Sequence, residues 1–296
     1  MFEGSTVALI TPMDEGGRID YGNLSALIDF HVAAGTESIV VAGTTGESAT
    51  LARAEHVELI GRACEIAGSR IPIIAGTGSN STAQTLDLSA AVDRLGVTGF
   101  LVVTPYYNKP NQEGLYRHFC AVADAVERPL ILYNVPGRTG VDLKTETVAR
   151  LAAHGNIAGI KEATGALERV ELLRESCGPD FVLLSGDDPT AAEFMLRGGD
   201  GCISVTANVA PAKMRALCHA ARAGRRDEAL AIDAELVGLH RALFLESNPI
   251  PVKWAMHQMG LAGSGIRLPL VALASQYQTE LRQAMLLAGV ATGGIS

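Results

Sequence analysis

The sequence predicts a (β/α)8 barrel, a TIM barrel of the α/β class, followed by a C-terminal helical region. Eight apolar runs of strand length occur in the first two-thirds of the chain, and segments with helical spacing separate them. Eight strand–helix units are the number that closes such a barrel, in about 200 residues or more. The competing architecture is an open doubly wound sheet. That fold would need a GxGxxG fingerprint after the first strand, where this chain has ITPMDEGG.

The eight runs are rich in Val, Ile and Leu and show no clear alternation of polar and apolar residues. This composition is typical of parallel strands that are buried on both faces. Each run ends in a small or polar turn. The runs are STVALIT (5–11), ESIVVAGT (37–44), IPIIAGTG (71–78), GFLVVTP (99–105), PLILYNVP (129–136), NIAGIKE (156–162), FVLLSGDD (181–188) and GCISVTAN (201–208).

Helical segments lie between the runs and fill the end of the chain. Leu24, Leu27, Ile28 and His31 form the first apolar stripe with helical spacing. After residue 208 the pattern predicts only helices, over 211–223, 227–245, 251–259 and 269–288. Because no flexible linker precedes this tail, we predict a catalytic barrel over residues 1–210 and a helical region over 211–296 that packs on it.

Composition excludes several classes of function. The chain has 296 residues, of which 48% are hydrophobic, and a formal net charge of -8. An acidic chain without a dense Lys/Arg cluster is a poor candidate for nucleic-acid binding. The start lacks the basic and apolar regions of a signal peptide, and each apolar run is shorter than the roughly 20 residues that span a bilayer. The five cysteines are scattered without a CxxC pair, which favours free thiols in the cytoplasm.

Side chains that could react with or bind a substrate occur where the predicted strands end. Active sites of barrels lie at the carboxyl ends of the strands, so each exit can form a wall of one pocket. The exits carry GTTGE (43–47), TPYYN (104–108), YNVPGRTG (133–140), Lys161, GDD (186–188) and ISVTAN (203–208).

Lys161 follows the apolar strand NIAGI directly. One interpretation is a solvated strand end, since lysine is rarely buried. The other is a nucleophilic amine. A free lysine amine has a pKa near 10.4, and an apolar barrel interior favours its uncharged form, which can attack a ketone and form an imine. The other exits favour this second interpretation.

Those exits suit a carbonyl substrate that carries a carboxylate. Thr44 and Thr45 offer hydroxyl and backbone donors, and the helix predicted after them would favour an anion through its N-terminus. Arg138, in a predicted loop, could hold a carboxylate with two hydrogen bonds. Tyr107 and Tyr133 could transfer protons. Taken one at a time, these residues also fit an ordinary turn, a solvated loop arginine and core tyrosines.

The sequence predicts no metal site. Asp187 and Asp188 could form a metal pair, but no third carboxylate or histidine stands at a matching strand end. Capping of the next helix at Asp188–Pro189 explains them better. Glu47 and Glu162 lie beside the candidate residues, and no pattern assigns them a role.

Several motifs resemble the dihydrodipicolinate synthase family of the pyruvate-dependent class I aldolase superfamily, in order and over nearly the whole chain. They are GTTGESATL (43–51), TPYYNKP (104–110), YNVPGRTG (133–140), GIKEATG (159–165), SGDD (185–188), GCISVTANV (201–209) and NPIPVKW (248–254). The resemblance implies a cytoplasmic homotetramer, a dimer of dimers, of (β/α)8 barrels. It also implies condensation of pyruvate with aspartate 4-semialdehyde in the diaminopimelate route to lysine, without a cofactor.

The resemblance assigns roles to individual residues. Lys161 would form the Schiff base with pyruvate, and Tyr133 would transfer protons. Thr44 and Tyr107 would complete a proton relay, with Tyr107 reaching across a dimer interface. Three kinds of substrate contact are implied: Thr45 for the carboxylate of pyruvate, Arg138 for that of the semialdehyde, and the backbone carbonyls of Gly186 and Ile203 for the wall of the site.

Many members of this family are inhibited by lysine at the dimer interface. The matching positions here are Ser48, Ala49, His56, Asn80 and Tyr106. Where lysine-sensitive bacterial relatives often carry His and Glu, this chain has Arg53 and Gln84. Replacing an acid by an amide removes an attraction for a cationic amine, so we expect weaker inhibition.

Two other functions remain open at the level of sequence. A sister aldolase, such as N-acetylneuraminate lyase or a sugar-acid dehydratase, shares the lysine and the tyrosine but generally lacks the arginine of GRTG. A non-catalytic protein on the same scaffold would be expected to have lost some of these residues, since fold does not fix function. Arg138 together with Thr44 and Thr45 favours the synthase.

Overall fold

The computed structural model describes residues 2–292 and has a closed barrel of eight parallel strands. Residue 1 and residues 293–296, at the ends of the two predicted domains, lie outside the described residues. The strands follow one another around the barrel in chain order, and the predicted fold class is confirmed. They are β1 (Gly4–Ala8), β2 (Ser38–Val41), β3 (Ile73–Gly76), β4 (Gly99–Val103), β5 (Leu130–Asn134), β6 (Ile157–Glu162), β7 (Val182–Ser185) and β8 (Gly201–Ser204).

Each strand has one face toward the barrel interior and the other toward the helices. The interior contains a separate apolar cluster to which nearly every strand contributes, and Phe2 belongs to it. The outer faces join the helices in a second and larger core. Burial on both faces explains why the strands show no alternation of polar and apolar residues.

Within residues 2–292, seven α-helices of at least six residues and one single helical turn, α5, connect the strands, and four more α-helices follow β8. The connecting helices are α1 (Tyr21–Ala34), α2 (Arg53–Ala67), α3 (Thr82–Val92), α4 (Gln112–Ala125), α5 (Pro136–Thr139), α6 (Thr145–Ala152), α7 (Glu168–Cys177) and α8 (Ala191–Leu196). After β8 come α9 (Pro211–Arg222), α10 (Arg226–Ala242), α11 (Ile250–Gln258) and α12 (Ser275–Leu287).

The C-terminal part departs from the sequence prediction at the start of its last helix. The helix predicted from Pro269 begins at Ser275, and Arg267, in the segment before it, is held to Gly17 and Glu55 by hydrogen bonds. In addition, α9 packs against β1 and α8, so it occupies the place of an outer barrel helix. A division after α9 would group this helix with the strands that it covers, and the predicted division at residue 210 stays a prediction.

No helix within residues 2–292 combines the length and the apolar composition that crossing a membrane requires.

A polar network locks the carboxyl ends of β5 and β6 on the outer face of the barrel. The buried Glu162 accepts hydrogen bonds from Asn134 Nδ2 (3.1 Å), Thr164 N (2.9 Å) and Arg169 Nε (3.0 Å). Arg169 also donates to Asp142 (3.2 Å), and Asp142 accepts from Asn134 (2.8 Å). The carboxylate of Glu162 is therefore fully hydrogen-bonded, as a buried charge requires.

We expect Arg169→Met to destabilise the fold, because it leaves Glu162 buried without its cation. The free energy of unfolding should fall by about 3 kcal/mol, measured by urea denaturation. Arg197→Met is the matched control, since Arg197 pairs with Glu171 at the surface, and its cost should stay below about 1 kcal/mol. Equal unfolding midpoints for the two variants would contradict a structural role for the network.

Candidate active site

Lys161 lies near the carboxyl end of β6 and faces the inside of the barrel. Its side chain is only 5% exposed, and Nζ lies 4.3 Å from the centroid of the Tyr133 ring. Its neighbours in register, Tyr133 on β5 and Leu184 on β7, both belong to the apolar interior. The amine is therefore buried, and the interpretation of Lys161 as a solvated strand end is wrong.

A shift of register between β5 and β6 decides which way Lys161 faces. Leu130 pairs with Ile157, but Ile131 pairs with Gly159, so one residue of β6 is passed over. Because successive side chains of a strand point to opposite faces, an unshifted register would turn Lys161 outward. Gly159 allows β6 to lie close to β7, since a Cβ there would collide with a backbone carbonyl of β7.

Gly186 and Ile203 are two further residues predicted to line this site. Gly186 follows β7 directly, and a Cβ at this position would collide with Cε of Lys161. Ile203 lies on β8, is buried and belongs to the interior cluster.

Thr44 and Thr45 lie in a tight turn after β2. Thr45 is buried, and its Oγ1 accepts a hydrogen bond from Asn248 Nδ2 at 3.0 Å. A short 3-10 turn, Ser48–Thr50, comes next, and α2 begins beyond it. The expected helix N-terminus is therefore not adjacent to the two threonines, and only the groups of the turn itself are available there to bind an anion.

Arg138 lies in α5, a single helical turn, and not in the predicted loop. Its guanidinium is exposed and donates to the carbonyl oxygen of Asn248 at 3.2 Å. The side chain of the same asparagine contacts Thr45. One buried residue thus joins the two groups that were predicted to bind carboxylates.

Tyr107 stands apart from these residues. Its side chain is 88% exposed, and its backbone has a φ of 74°, in the left-handed region that non-glycine residues rarely occupy. Its backbone N–H donates to Thr139 O at 3.2 Å. This chain alone therefore does not bring the Tyr107 phenol into the interior that holds Lys161 and Tyr133.

The predicted lysine-regulatory residues lie in α2 and in the loops after β2, β3 and β4. They are Ser48, Ala49, His56, Asn80 and Tyr106. His56 is buried, and its Nε2–H donates to Gly76 O at 2.8 Å, while burial lowers its pKa. Asn108, close to Tyr106, donates to the carbonyl of Asn80 at 2.9 Å and so joins two of these loops.

The two positions that depart from lysine-sensitive relatives are both engaged at the surface. Arg53 forms an ion pair with Asp87, which lowers the pKa of the aspartate. Gln84 Oε1 accepts from Ser79 Oγ at 2.9 Å. Neither side chain adds a carboxylate to this region.

The aspartates after β7 have structural partners. Asp188 Oδ2 accepts from the N–H groups of Val205 (2.9 Å) and Thr206 (2.8 Å), so it caps the turn after β8 and not the neighbouring helix that was predicted. Asp187 accepts from Thr190 Oγ1 at 2.7 Å. Within the described residues no group of three His, Cys, Asp or Glu side chains is arranged to hold a metal ion.

Three residues of the site were missed or left without a role in the sequence analysis. They are Asn248, which joins Thr45 to Arg138, and the buried ion pair of Glu47 with Lys253. The available signal was weak: a single lysine inside the apolar helical stretch PIPVKWAM. Their contacts join residues that are 110 to 206 positions apart in the chain, and local patterns do not report on such contacts.

The sequence and the structure are both similar to those of known proteins. Residues 1–287 match the sequence model of the dihydrodipicolinate synthetase family. The chain is 58% identical to the 4-hydroxy-tetrahydrodipicolinate synthase of Stutzerimonas stutzeri over 98% of this chain and 99% of that protein.

Two solved structures are similar over almost their full length. The chloride-inhibited dihydrodipicolinate synthase of Acinetobacter baumannii, complexed with pyruvate, has a TM-score of 0.97 and 52% identity, with coverage of 98% of this chain and 100% of that one. The lysine-bound enzyme of Cyanidioschyzon merolae has a TM-score of 0.95 and 38% identity, with coverage of 98% and 99%. The chain described here therefore belongs to the dihydrodipicolinate synthetase family.

Proposed function

We propose that this protein condenses pyruvate with L-aspartate 4-semialdehyde to give 4-hydroxy-tetrahydrodipicolinate. It is a carbon–carbon lyase of the class I aldolase type in lysine and diaminopimelate biosynthesis. The observation that carries this proposal is the buried amine of Lys161 beside the Tyr133 ring in the barrel mouth. The names of its relatives and the pyruvate bound in the Acinetobacter baumannii structure support the choice of substrates.

The chemistry follows from the amine. Lys161 Nζ adds to the ketone carbon of pyruvate, and loss of water gives an imine. The imine withdraws electrons, so a proton can leave the neighbouring methyl carbon and an enamine forms. That carbon attacks the aldehyde of the second substrate, and the new carbon–carbon bond is made. The amino group of the second substrate then displaces the lysine as the ring closes.

Proton transfer needs groups near the imine. We assign it to Tyr133, whose ring lies beside Lys161, with Thr44 and Tyr107 completing a relay. Tyr107 would come from a second subunit, because its side chain is exposed in a single chain. Its strained backbone conformation supports a role that requires the side chain to project outward.

Carboxylate binding divides between two regions. Thr45, with Thr44, would hold the carboxylate of pyruvate, and Arg138 at the rim would hold that of the semialdehyde. Gly186 and Ile203 would line the pyruvate site through their backbone carbonyls. Asn248 fixes the spacing of the two regions, since it contacts both Thr45 and Arg138.

The remaining parts of the proposal concern the assembly and its setting. The imine itself acts as the electron sink, so the mechanism requires neither a metal nor an organic cofactor. We propose a homotetramer, a dimer of dimers, which would supply Tyr107 from a neighbouring chain. A cytoplasmic location is consistent with five free cysteines and with substrates of amino-acid biosynthesis.

Lysine is proposed as a weak feedback inhibitor. Support comes from the lysine-bound relative in Cyanidioschyzon merolae and from the matching loop residues of this chain. The pairing of Arg53 with Asp87 and the neutral Gln84 both reduce the negative charge available to a cationic amine, so weak inhibition is expected.

Borohydride reduction in the presence of pyruvate should attach the substrate to Lys161, with peptide mass mapping as the readout. Lys253 is an internal control, because it is equally buried but paired with Glu47. Adduct on another lysine, or none, would refute the Schiff-base assignment.

Arg138→Ala should weaken use of the semialdehyde far more than imine formation with pyruvate. We expect kcat/KM for the semialdehyde to fall by about two orders of magnitude, since a charged hydrogen-bond pair is lost. Arg117→Ala, at an exposed position on α4, is the control. If both substrates suffer equally, the role of Arg138 is misassigned.

The choice between this reaction and that of a sister aldolase can be tested with substrates. Turnover of pyruvate with aspartate semialdehyde should exceed cleavage of N-acetylneuraminate, because the barrel rim presents Arg138 for a second carboxylate. A preference for the sugar acid in a steady-state assay would overturn the proposed function.

A further inference from the structure

A second buried lysine lies outside the chemistry described above. Lys253, on α11, is 4% exposed, and its Nζ forms an ion pair with Oε1 of Glu47, which is also 4% exposed. The two residues are separated by 206 positions in the chain. Burying two charges costs free energy that their attraction often fails to repay, so stability alone does not account for this pair.

The backbone of Glu47 has an unfavourable left-handed conformation, and contacts of its side chain stabilise it. Its φ of 56° and ψ of 35° lie in the left-handed region, which is unfavourable for a residue with a Cβ. Glycine would adopt this conformation without strain. A glutamate at this position is therefore explained by the contacts that its side chain makes. Both carboxylate oxygens are used: Oε1 meets Lys253 Nζ, and Oε2 accepts from Arg267 N at 3.0 Å.

The pair lies directly behind the turn that carries Thr44 and Thr45. Glu47 is two residues beyond Thr45, and its backbone N–H donates to Thr44 O at 3.1 Å. Its carboxylate is anchored to the C-terminal region, so the backbone of the turn is anchored there as well. Asn248, five residues before Lys253, holds the Thr45 hydroxyl from the same region.

We propose that Glu47 and Lys253 are positioning residues that set the geometry of the turn for the carboxylate of pyruvate. This inference rests on the proposed function, in which that turn binds pyruvate. The pair acts through Thr44 and Thr45 and touches no substrate. The C-terminal helical region therefore determines the affinity for the first substrate through a buried charge and not only through packing.

The effect should be specific to pyruvate. Arg138, the proposed ligand of the second carboxylate, donates to the backbone carbonyl of Asn248, and among the described residues no hydrogen bond or ion pair joins it to Glu47 or Lys253. Loss of the pair should therefore disturb the turn at Thr44 and Thr45 before it disturbs Arg138.

The test measures imine formation without the second substrate. Wild type and Lys253→Met are titrated with pyruvate under borohydride, and mass spectrometry gives the fraction labelled at Lys161. We expect the half-saturating pyruvate concentration to rise by about tenfold while the maximal labelled fraction is unchanged, because one of several contacts that hold the turn is lost. Methionine keeps most of the apolar stem, and thermal unfolding reports on the fold.

Two further variants separate positioning from general damage. Lys213→Met removes a partly exposed lysine of α9, which pairs with Glu235, and should leave the titration within about twofold of wild type. Glu47→Gln is nearly isosteric and should raise the half-saturating concentration in the same direction. The double variant Glu47→Gln/Lys253→Met should recover part of the loss, since neither partner is then left as an unpaired buried charge.

The outcomes are distinct. The proposal is overturned if folded Lys253→Met has the half-saturating pyruvate concentration of wild type. It is also overturned if the variant keeps that concentration while its maximal labelled fraction and its thermal stability both fall. Should Lys253→Met fail to fold, Glu47→Gln decides alone, and an unchanged titration then rejects the proposal. Absence of any adduct in wild type would instead reject the proposed function.

Discussion

The pairing of β5 with β6 is the constraint on which the rest of the site depends. Side chains along a strand alternate between the two faces of a sheet, so the register of β6 decides whether Lys161 faces the interior or the helices. The shift between Ile157 and Gly159 brings Lys161 opposite Tyr133, on the inner face. The side chains of the next pair, Asn134 and Glu162, then face outward. There they form hydrogen bonds with each other, with Arg169 and with Asp142. One register choice thus places an amine in the interior and a carboxylate outside it.

This separation has an electrostatic consequence. The strand end carries a lysine and a glutamate in succession, and neighbours in a sequence can neutralise each other in water. In the barrel they lie on opposite faces, and within the described residues no carboxylate lies within ion-pair distance of Lys161. The other buried lysine, Lys253, is fully paired with Glu47. The two buried lysines therefore differ in that the amine of Lys253 is held by a carboxylate and the amine of Lys161 is not.

The barrel mouth is completed by residues far away in the chain. Asn248, Lys253 and Arg267 come from the C-terminal region and contact the turn after β2. The loop ends of a barrel are its least constrained parts, because they are not held by the sheet. The C-terminal helices supply that constraint here. Their contribution to the site is thus direct, through hydrogen bonds and a buried ion pair.

The sequence by itself determined the number of strands, their order and the chemistry available at each exit. Apolar runs and the residues that end them are local features, and Thr44, Tyr133, Arg138 and Lys161 were found from them. Only the tertiary structure decided which way Lys161 faces, because a one-residue register shift leaves no mark in the apolar pattern. It alone also showed that Glu47 is anchored to Lys253. Such a contact depends on closing the barrel and folding the C-terminal helices over its rim, and no local pattern encodes it.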